Sequence, residues 1–357
     1  MKTAHRADEG LAFMLQYENV AWYDSGSVRI LDRRVYPRQV EFVECRSYTE
    51  VAQAITDMVT QSAGPYTAAS MGMALAAYEC REKPAAQQME FLRRAADVIS
   101  HARPTTVSRM QRITGGCLQV AEAAVAAGQD AAEAIRDYTV AAADKRYGKV
   151  EKIAENLVDM FPDNGKILTQ CFAETIVGMM LKVARQRGKD LKIFCAETRP
   201  YFQGARLTAT VCSEMGFDTT LITDNMPAFV IQKEGIDVFT SAADAICLDG
   251  HVVNKVGTLQ ISIVAKYFGI PYFVTGAPDQ GHPDGESVTI EMRDPDFVLQ
   301  AMGVRTAADG VKGYYPAFDI TPPELVSGVV TDRGIFSPYD LPRYFASGDI
   351  DPYEMII

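Results

Sequence analysis

KILTQC at 166–171, LKIFCAE at 191–197, TTLITDN at 219–225, IDVFTSA at 236–242 and IPYFVTG at 270–276 are short apolar runs rich in β-branched and aromatic residues. Between them lie segments with apolar residues at helical spacing: one soon after Cys171, one from about Gln203, MPAFVIQKEG at 226–235, and one after Asn254. Runs this short and this apolar fit strands covered on both faces, and strands separated by helices run parallel because only a long crossover returns the chain to the same sheet end. The alternation predicts a Rossmann-like, doubly wound α/β domain over residues 161–357.

In such sheets ligands sit beyond the carboxyl ends of the strands. Cys171 closes the first run, Glu197-Thr198-Arg199 the second and Asp224-Asn225 the third, while Asp244 follows the fourth. A thiol and several carboxylates on one rim make a set capable of acid/base chemistry. Each also has a structural reading: a free cysteine packs as a small hydrophobe, and an aspartate after a strand caps the next helix. Spacing alone leaves both open.

Working outward, residues 18–45 hold short alternating runs broken by Asp24-Ser25-Gly26 and Tyr36-Pro37, the pattern of a small β-meander. From Tyr48 the period becomes helical, over 48–61, 67–81, 86–100, 105–127 and 129–160, with breaks at Gly64-Pro65, Lys83-Pro84 and Arg103-Pro104. Residues 1–160 therefore read as a β-meander followed by a helical subdomain.

The 357 residues suit two domains, and 46 acidic against 35 basic residues leave a net charge of −11. That balance disfavours nucleic acid and anionic membranes, which are bound through clustered Lys and Arg. Seven cysteines without a CxxC pair are expected to be reduced thiols of a cytoplasmic protein. The amino-terminal residues lack an apolar signal region, and no stretch approaches the roughly 18 apolar residues of a membrane span. No GxGxxG, GxxxxGK[ST] or GxSxG motif is present, and His5, His101, His251 and His282 are dispersed. Neither an organic cofactor nor a metal is expected.

AETRPYFQGARLTA at 196–209 is a long and unusual run. With LITDNMPAF at 221–229, AADAICLDGHVVNKVGTLQISIVAKYFGIPYFV at 242–274 and YYPAFDITPPELVSGVVTDRGIF at 314–336, it resembles the S-methyl-5-thioribose-1-phosphate isomerases. That superfamily includes ribose-1,5-bisphosphate isomerase and the alpha, beta and delta subunits of translation initiation factor 2B. The resemblance is strong over 164–337 and weaker through Trp22, ILDRR at 30–34 and ARPTTV at 102–107.

The resemblance implies an aldose-ketose isomerase of methionine salvage, acting on a ribose-1-phosphate derivative as a homodimer formed through the α/β domain. It makes Cys171 and Asp244 the catalytic pair. Arg103, Gln203, Asn254 and Lys255 take the ligand-binding positions, and Gly64 belongs to the phosphate loop; Arg206 reads as a structural salt bridge. The alternatives are isomerisation of another pentose phosphate, such as ribose 1,5-bisphosphate, and a non-catalytic regulator of the factor 2B type that binds a sugar phosphate or nucleotide.

An aldose 1-phosphate is a locked acetal, so an acid must protonate the ring oxygen before C1 and C2 exchange oxidation state. Which of Cys171 and Asp244 takes which step stays open, and an apolar pocket is expected to raise the Asp244 pKa. Two departures stand out. Gln61-Ser62-Ala63-Gly64-Pro65 replaces the usual Arg-Gly-Ala-Pro loop, leaving Arg103 and Lys255 as the phosphate cations. Cys171-Phe172-Ala173-Glu174 runs straight into a helix, adding bulk and negative charge near the site.

Overall fold

Ile167–Gln170, Ile193–Ala196, Val238–Ser241 and Tyr272–Thr275 are buried along their whole length, which is possible only for strands with both faces covered. The computed structural model describes residues 6–103 and 107–347. It divides into two compact units between Gly148 and Lys149.

In the amino-terminal unit, α1 (Tyr17–Val20) precedes an antiparallel meander of β1 (Ala21–Asp24), β2 (Ser27–Leu31) and β3 (Phe42–Cys45). Five helices follow: α2 (Tyr48–Thr56), α3 (Gly64–Cys80), α4 (Ala85–Ser100), α5 (Val107–Ala126) and α6 (Ala131–Val158). α3 carries Ala, Met and Gly around its circumference and no polar stripe, so it is buried on all sides between β1, α2, α4 and α5. The unit boundary falls inside α6 and not at its end near residue 160. Asn156 explains why: its Nδ2 donates to the Thr331 carbonyl at 2.8 Å, tying the last turns of α6 to the α/β unit.

The α/β unit is built on seven strands: β4 (Lys166–Gln170), β5 (Lys192–Ala196), β6 (Asp218–Ile222), β7 (Val238–Ala242), β10 (Tyr272–Thr275), β14 (Gly328–Thr331) and β15 (Gly334–Phe336). Their order is β15-β14-β10-β7-β4-β5-β6, parallel except for the β14–β15 hairpin. The connecting helices are α7 (Thr175–Gln186), α8 (Ala209–Glu214), α9 (Pro227–Val230) and α10 (Thr258–Phe268). From β4 the chain adds β5 and β6 on one side, then returns to place β7 and β10 on the other. The order therefore reverses between β4 and β7, whose carboxyl ends lead into Cys171 and Asp244.

One element departs from the periodicity. Asn254 and Lys255 do not open a helix; they end β9 (Val252–Lys255), the centre of a small antiparallel sheet with β8 (Ala245–Ile246) and β13 (Phe318–Thr321). Only afterwards does α10 begin. A two-residue hairpin, β11 (Gln300–Ala301) and β12 (Val304–Arg305), lies in the connection between β10 and β13. Among the described residues no helix is long and apolar enough to cross a membrane.

The turn after β5 packs unusually close to its own strand. It is a π-helical turn, Gly204–Thr208, whose first residue lies under the strand end: a Cβ on Gly204 would stand 1.8 Å from the Ala196 carbonyl oxygen. Backbone cannot yield as a flexible side chain does. Gly204→Ala is expected to cost about 1–3 kcal/mol, measured by chemical denaturation; a stability equal to that of the parent would show that the turn shifts freely.

Candidate active site

Cys171 leaves β4 with φ 64°, in the left-handed region that side chains other than glycine rarely occupy. Glu174, Thr198 and Phe202 do the same at 51°, 63° and 58°. Such conformations cost about 1–3 kcal/mol each and persist only where the surroundings impose them. At Cys171 and Thr198 hydrogen bonds impose them. The Cys171 N–H donates to Thr198 Oγ1 at 2.9 Å, and the Thr208 hydroxyl donates to the Cys171 carbonyl. Thr198 is in turn fixed by Asp224, whose carboxylate accepts from the N–H groups of Thr198 and Arg199 at 2.8 and 2.7 Å. Asp224 is thus a clamp for the turn after β5. Arg206 is also structural, donating to the Tyr201 carbonyl at 3.1 and 3.0 Å.

On the neighbouring strand, Asp244 lies between β7 and β8 and caps no helix; its N–H donates to the Val253 carbonyl at 2.8 Å. The residue is exposed and not enclosed in the apolar pocket expected around it. Burial pushes the Cys171 thiol up to about 11, against the pull of Lys255, while Asp244 adds to the rise. The Lys255 ammonium is lowered from the usual lysine value, first by burial, with the thiol and Asp244 opposing. The charges of Cys171, Asp244 and Lys255 therefore lie within mutual reach.

Lys255 is only 4% exposed; its Nζ donates to the Ala317 carbonyl at 3.0 Å and stands 4.6 Å from the Phe318 ring centre. It is a buried cation. Asn254 donates through Nδ2 to Thr258 Oγ1 at 3.0 Å. That hydroxyl also lies 2.9 Å from Gln170 Oε1 and 2.8 Å from the Lys255 carbonyl, so the ends of β4 and β9 share one polar network. Gln203 sits on the turn whose flanks, Thr198 and Thr208, hold Cys171. Its Oε1 is buried with no hydrogen-bond partner.

The α/β unit thus gathers Cys171, Asp244, Asn254, Lys255 and Gln203. Gly64 and Arg103 belong to the amino-terminal unit. Arg103 ends the turn after α4, and residues 104–106 of the same segment lie outside the described residues. Gly64 opens α3, where a Cβ would come within 1.9 Å of Thr60 Oγ1. The loop before it is anchored from below by the fully buried Arg33, whose Nη1 donates to the Gln61 carbonyl at 2.7 Å.

Sequence reasoning missed Arg293. Its guanidinium pairs with Glu291 at 3.0 Å and lies 5.6 Å from the Phe318 ring centre, so Arg293 and Lys255 flank one aromatic side chain. Its positive charge favours the Cys171 thiolate and disfavours the Lys255 ammonium. No periodicity or motif marked it; an Arg two residues after a Glu, inside a connection of more than forty residues between β10 and β13, was the one available signal.

Comparison with known proteins places the chain in a family. The model described as the Initiation factor 2 subunit family matches residues 60–338. Methylthioribose-1-phosphate isomerase 1 of Pseudothermotoga lettingae is 34% identical over 88% of this chain and 94% of its own. The 5-deoxyribose 1-phosphate isomerase of Clostridium botulinum is 32% identical over 89% of this chain and 95% of its own. Among solved structures, the 5-methylthioribose 1-phosphate isomerase of Pyrococcus horikoshii superposes with a TM-score of 0.83 at 30% identity, covering 98% of this chain and 100% of that one.

Cys171 is half-buried whereas the other six cysteines are buried, so alkylation reports on it selectively. Only the thiolate reacts. Its alkylation rate with iodoacetamide, followed by peptide mass spectrometry, is expected to climb about tenfold per pH unit towards pH 11. Lys255→Met removes a charge that favours the thiolate, so the rate at pH 8 falls several-fold; an unchanged rate would refute the coupling.

Proposed function

Because the chain belongs to the initiation factor 2 subunit family, and because Cys171 and Asp244 follow the two strands between which the order reverses while β9 carries Lys255 within electrostatic reach of both, we propose that it is an aldose-ketose isomerase. It converts a ribose 1-phosphate derivative with a small 5-substituent, methylthio or deoxy, into the ribulose 1-phosphate form. The convergence of the three side chains carries this reading; the names of the relatives support the substrate class.

The chemistry follows from the titration of the site. Opening the ring of a phosphorylated acetal delivers one proton to the ring oxygen as the C1–O bond breaks. Forming the C2 ketone removes one proton from the C2 hydroxyl, and the hydrogen on C2 passes to C1. The net requirement is one acid and one base. Burial keeps the Cys171 thiol protonated at neutral pH, which suits it to donate. Asp244 takes the hydroxyl proton. Lys255 neutralises the phosphate, and Asn254 and Gln203 bind hydroxyls.

The protein acts as a homodimer through the α/β unit. α9 and α10 pack against each other yet leave Phe229, Ile263 and Tyr267 exposed at 68%, 51% and 82%. Apolar side chains grouped in this way mark an interaction surface. Phe229→Asp with Tyr267→Asp is expected to give a monomer by light scattering, whereas an unchanged mass would place the interface elsewhere.

Turnover is tested against a panel of aldose 1-phosphates: methylthioribose, 5-deoxyribose and ribose 1-phosphates and ribose 1,5-bisphosphate. Asp244→Asn and Cys171→Ser are each expected to lower kcat by about 10² to 10⁴ with little change in KM. A variant as active as the parent would remove that residue from the mechanism. No turnover of any sugar by the parent protein would favour a non-catalytic binder of the factor 2B type.

A further inference from the structure

Beside the Cys171–Lys255 pair the phenol of Tyr315 is buried, with only 2% of the residue exposed; the Arg293 guanidinium approaches its oxygen as a donor, and no described group accepts from its O–H. An unsatisfied buried hydroxyl costs about 1–3 kcal/mol, and phenylalanine would fill the same space without that cost. Tyr315 lies directly before the segment that leads into β13, and its carbonyl accepts from the Arg293 N–H at 2.9 Å. Its ring centre is 6.1 Å from that of Tyr201, which the Arg293 guanidinium approaches at 5.9 Å. Tyr201 lies two residues before Gln203, whose Oε1 is an orphaned acceptor. A phenol O–H and an amide oxygen left unpaired around one thiol match a ligand that brings both acceptors and donors, as a polyhydroxylated sugar does.

We propose that Tyr315 is a substrate-contacting residue: its hydroxyl donates a hydrogen bond to a sugar oxygen beside the Cys171 thiol, while Gln203 Oε1 accepts one from a neighbouring sugar hydroxyl. The inference rests on the isomerase reading and adds a residue to it. The phenol is suited to donating. Burial raises it to about 12, with Arg293 opposing through its charge and its approach to the phenol oxygen and Cys171 adding to the rise, so it stays protonated at neutral pH with its proton free to donate.

Tyr315→Phe in the full chain removes a single oxygen. Against whichever aldose 1-phosphate the parent protein turns over, the variant is expected to lose about 10- to 100-fold in kcat/KM. Its Tm without substrate stays equal to the parent's or rises, and the increase in Tm on adding that sugar phosphate shrinks. A parent-like kcat/KM in the variant overturns this inference alone. So does a lower Tm without substrate, which would assign the hydroxyl to an internal or water-mediated structural bond. Failure of the parent protein to turn over any sugar of the panel overturns the isomerase reading, and this inference falls with it.

Discussion

The reversal of strand order between β4 and β7 is the constraint on which the site depends. In a parallel sheet every strand delivers its carboxyl end to the same rim, and at a reversal the chain departs in opposite directions from two adjacent strands, leaving a crevice there. Cys171 and Asp244 are the first chemically active residues beyond those two strands. The small β8–β9–β13 sheet, inserted between β7 and α10, then carries Asn254 and Lys255 back toward the same place. Without the reversal, the thiol and the carboxylate would belong to strands with no shared opening.

What the crevice does to its residues is mostly desolvation. Lys255 and Arg293 both favour the thiolate of Cys171, yet burial outweighs them and the thiol stays protonated. The same burial weakens the hold of Lys255 on its proton. Neutral thiol and buried cation together leave a site that can give a proton and still receive a phosphate. Asp244, by contrast, is exposed. Strain accompanies this arrangement: Cys171 and Thr198 are both left-handed, and the clamp through Thr198, Thr208 and Asp224 holds them. The orphaned O–H of Tyr315 and amide oxygen of Gln203 extend the pattern, since a site built for a polar ligand leaves polar groups unsatisfied within its own chain.

Much of this was legible in the residues. Apolar runs ending in Cys171 and before Asp244 marked strands and rim, and the motif around Gln203 pointed to the family. Less legible was the strand Val252–Lys255, four residues long and followed at once by helical spacing, because a strand that short exists only through its partners. Asp224 could not be separated from a catalyst by spacing, since its role depends on two backbone N–H groups 25 and 26 residues away. Arg293 and Tyr315 lay in a long connection without period. Their significance comes from one shared neighbourhood of Tyr201, Phe318 and Cys171.

By itself, the sequence determined most of the local terms: the strands of the parallel sheet and most helices, that β4 and β7 end in chemistry, and that the chain is acidic with few cations to place on a phosphate. These follow from periodicity and residue type, which act over a few positions. Tertiary structure alone decided where the strand order reverses, which aspartate is clamp and which lends its charge to the thiol, and how deeply Lys255 and Cys171 are desolvated. Those are properties of residues far apart in the chain, and only packing brings them close enough for one charge to be felt by another.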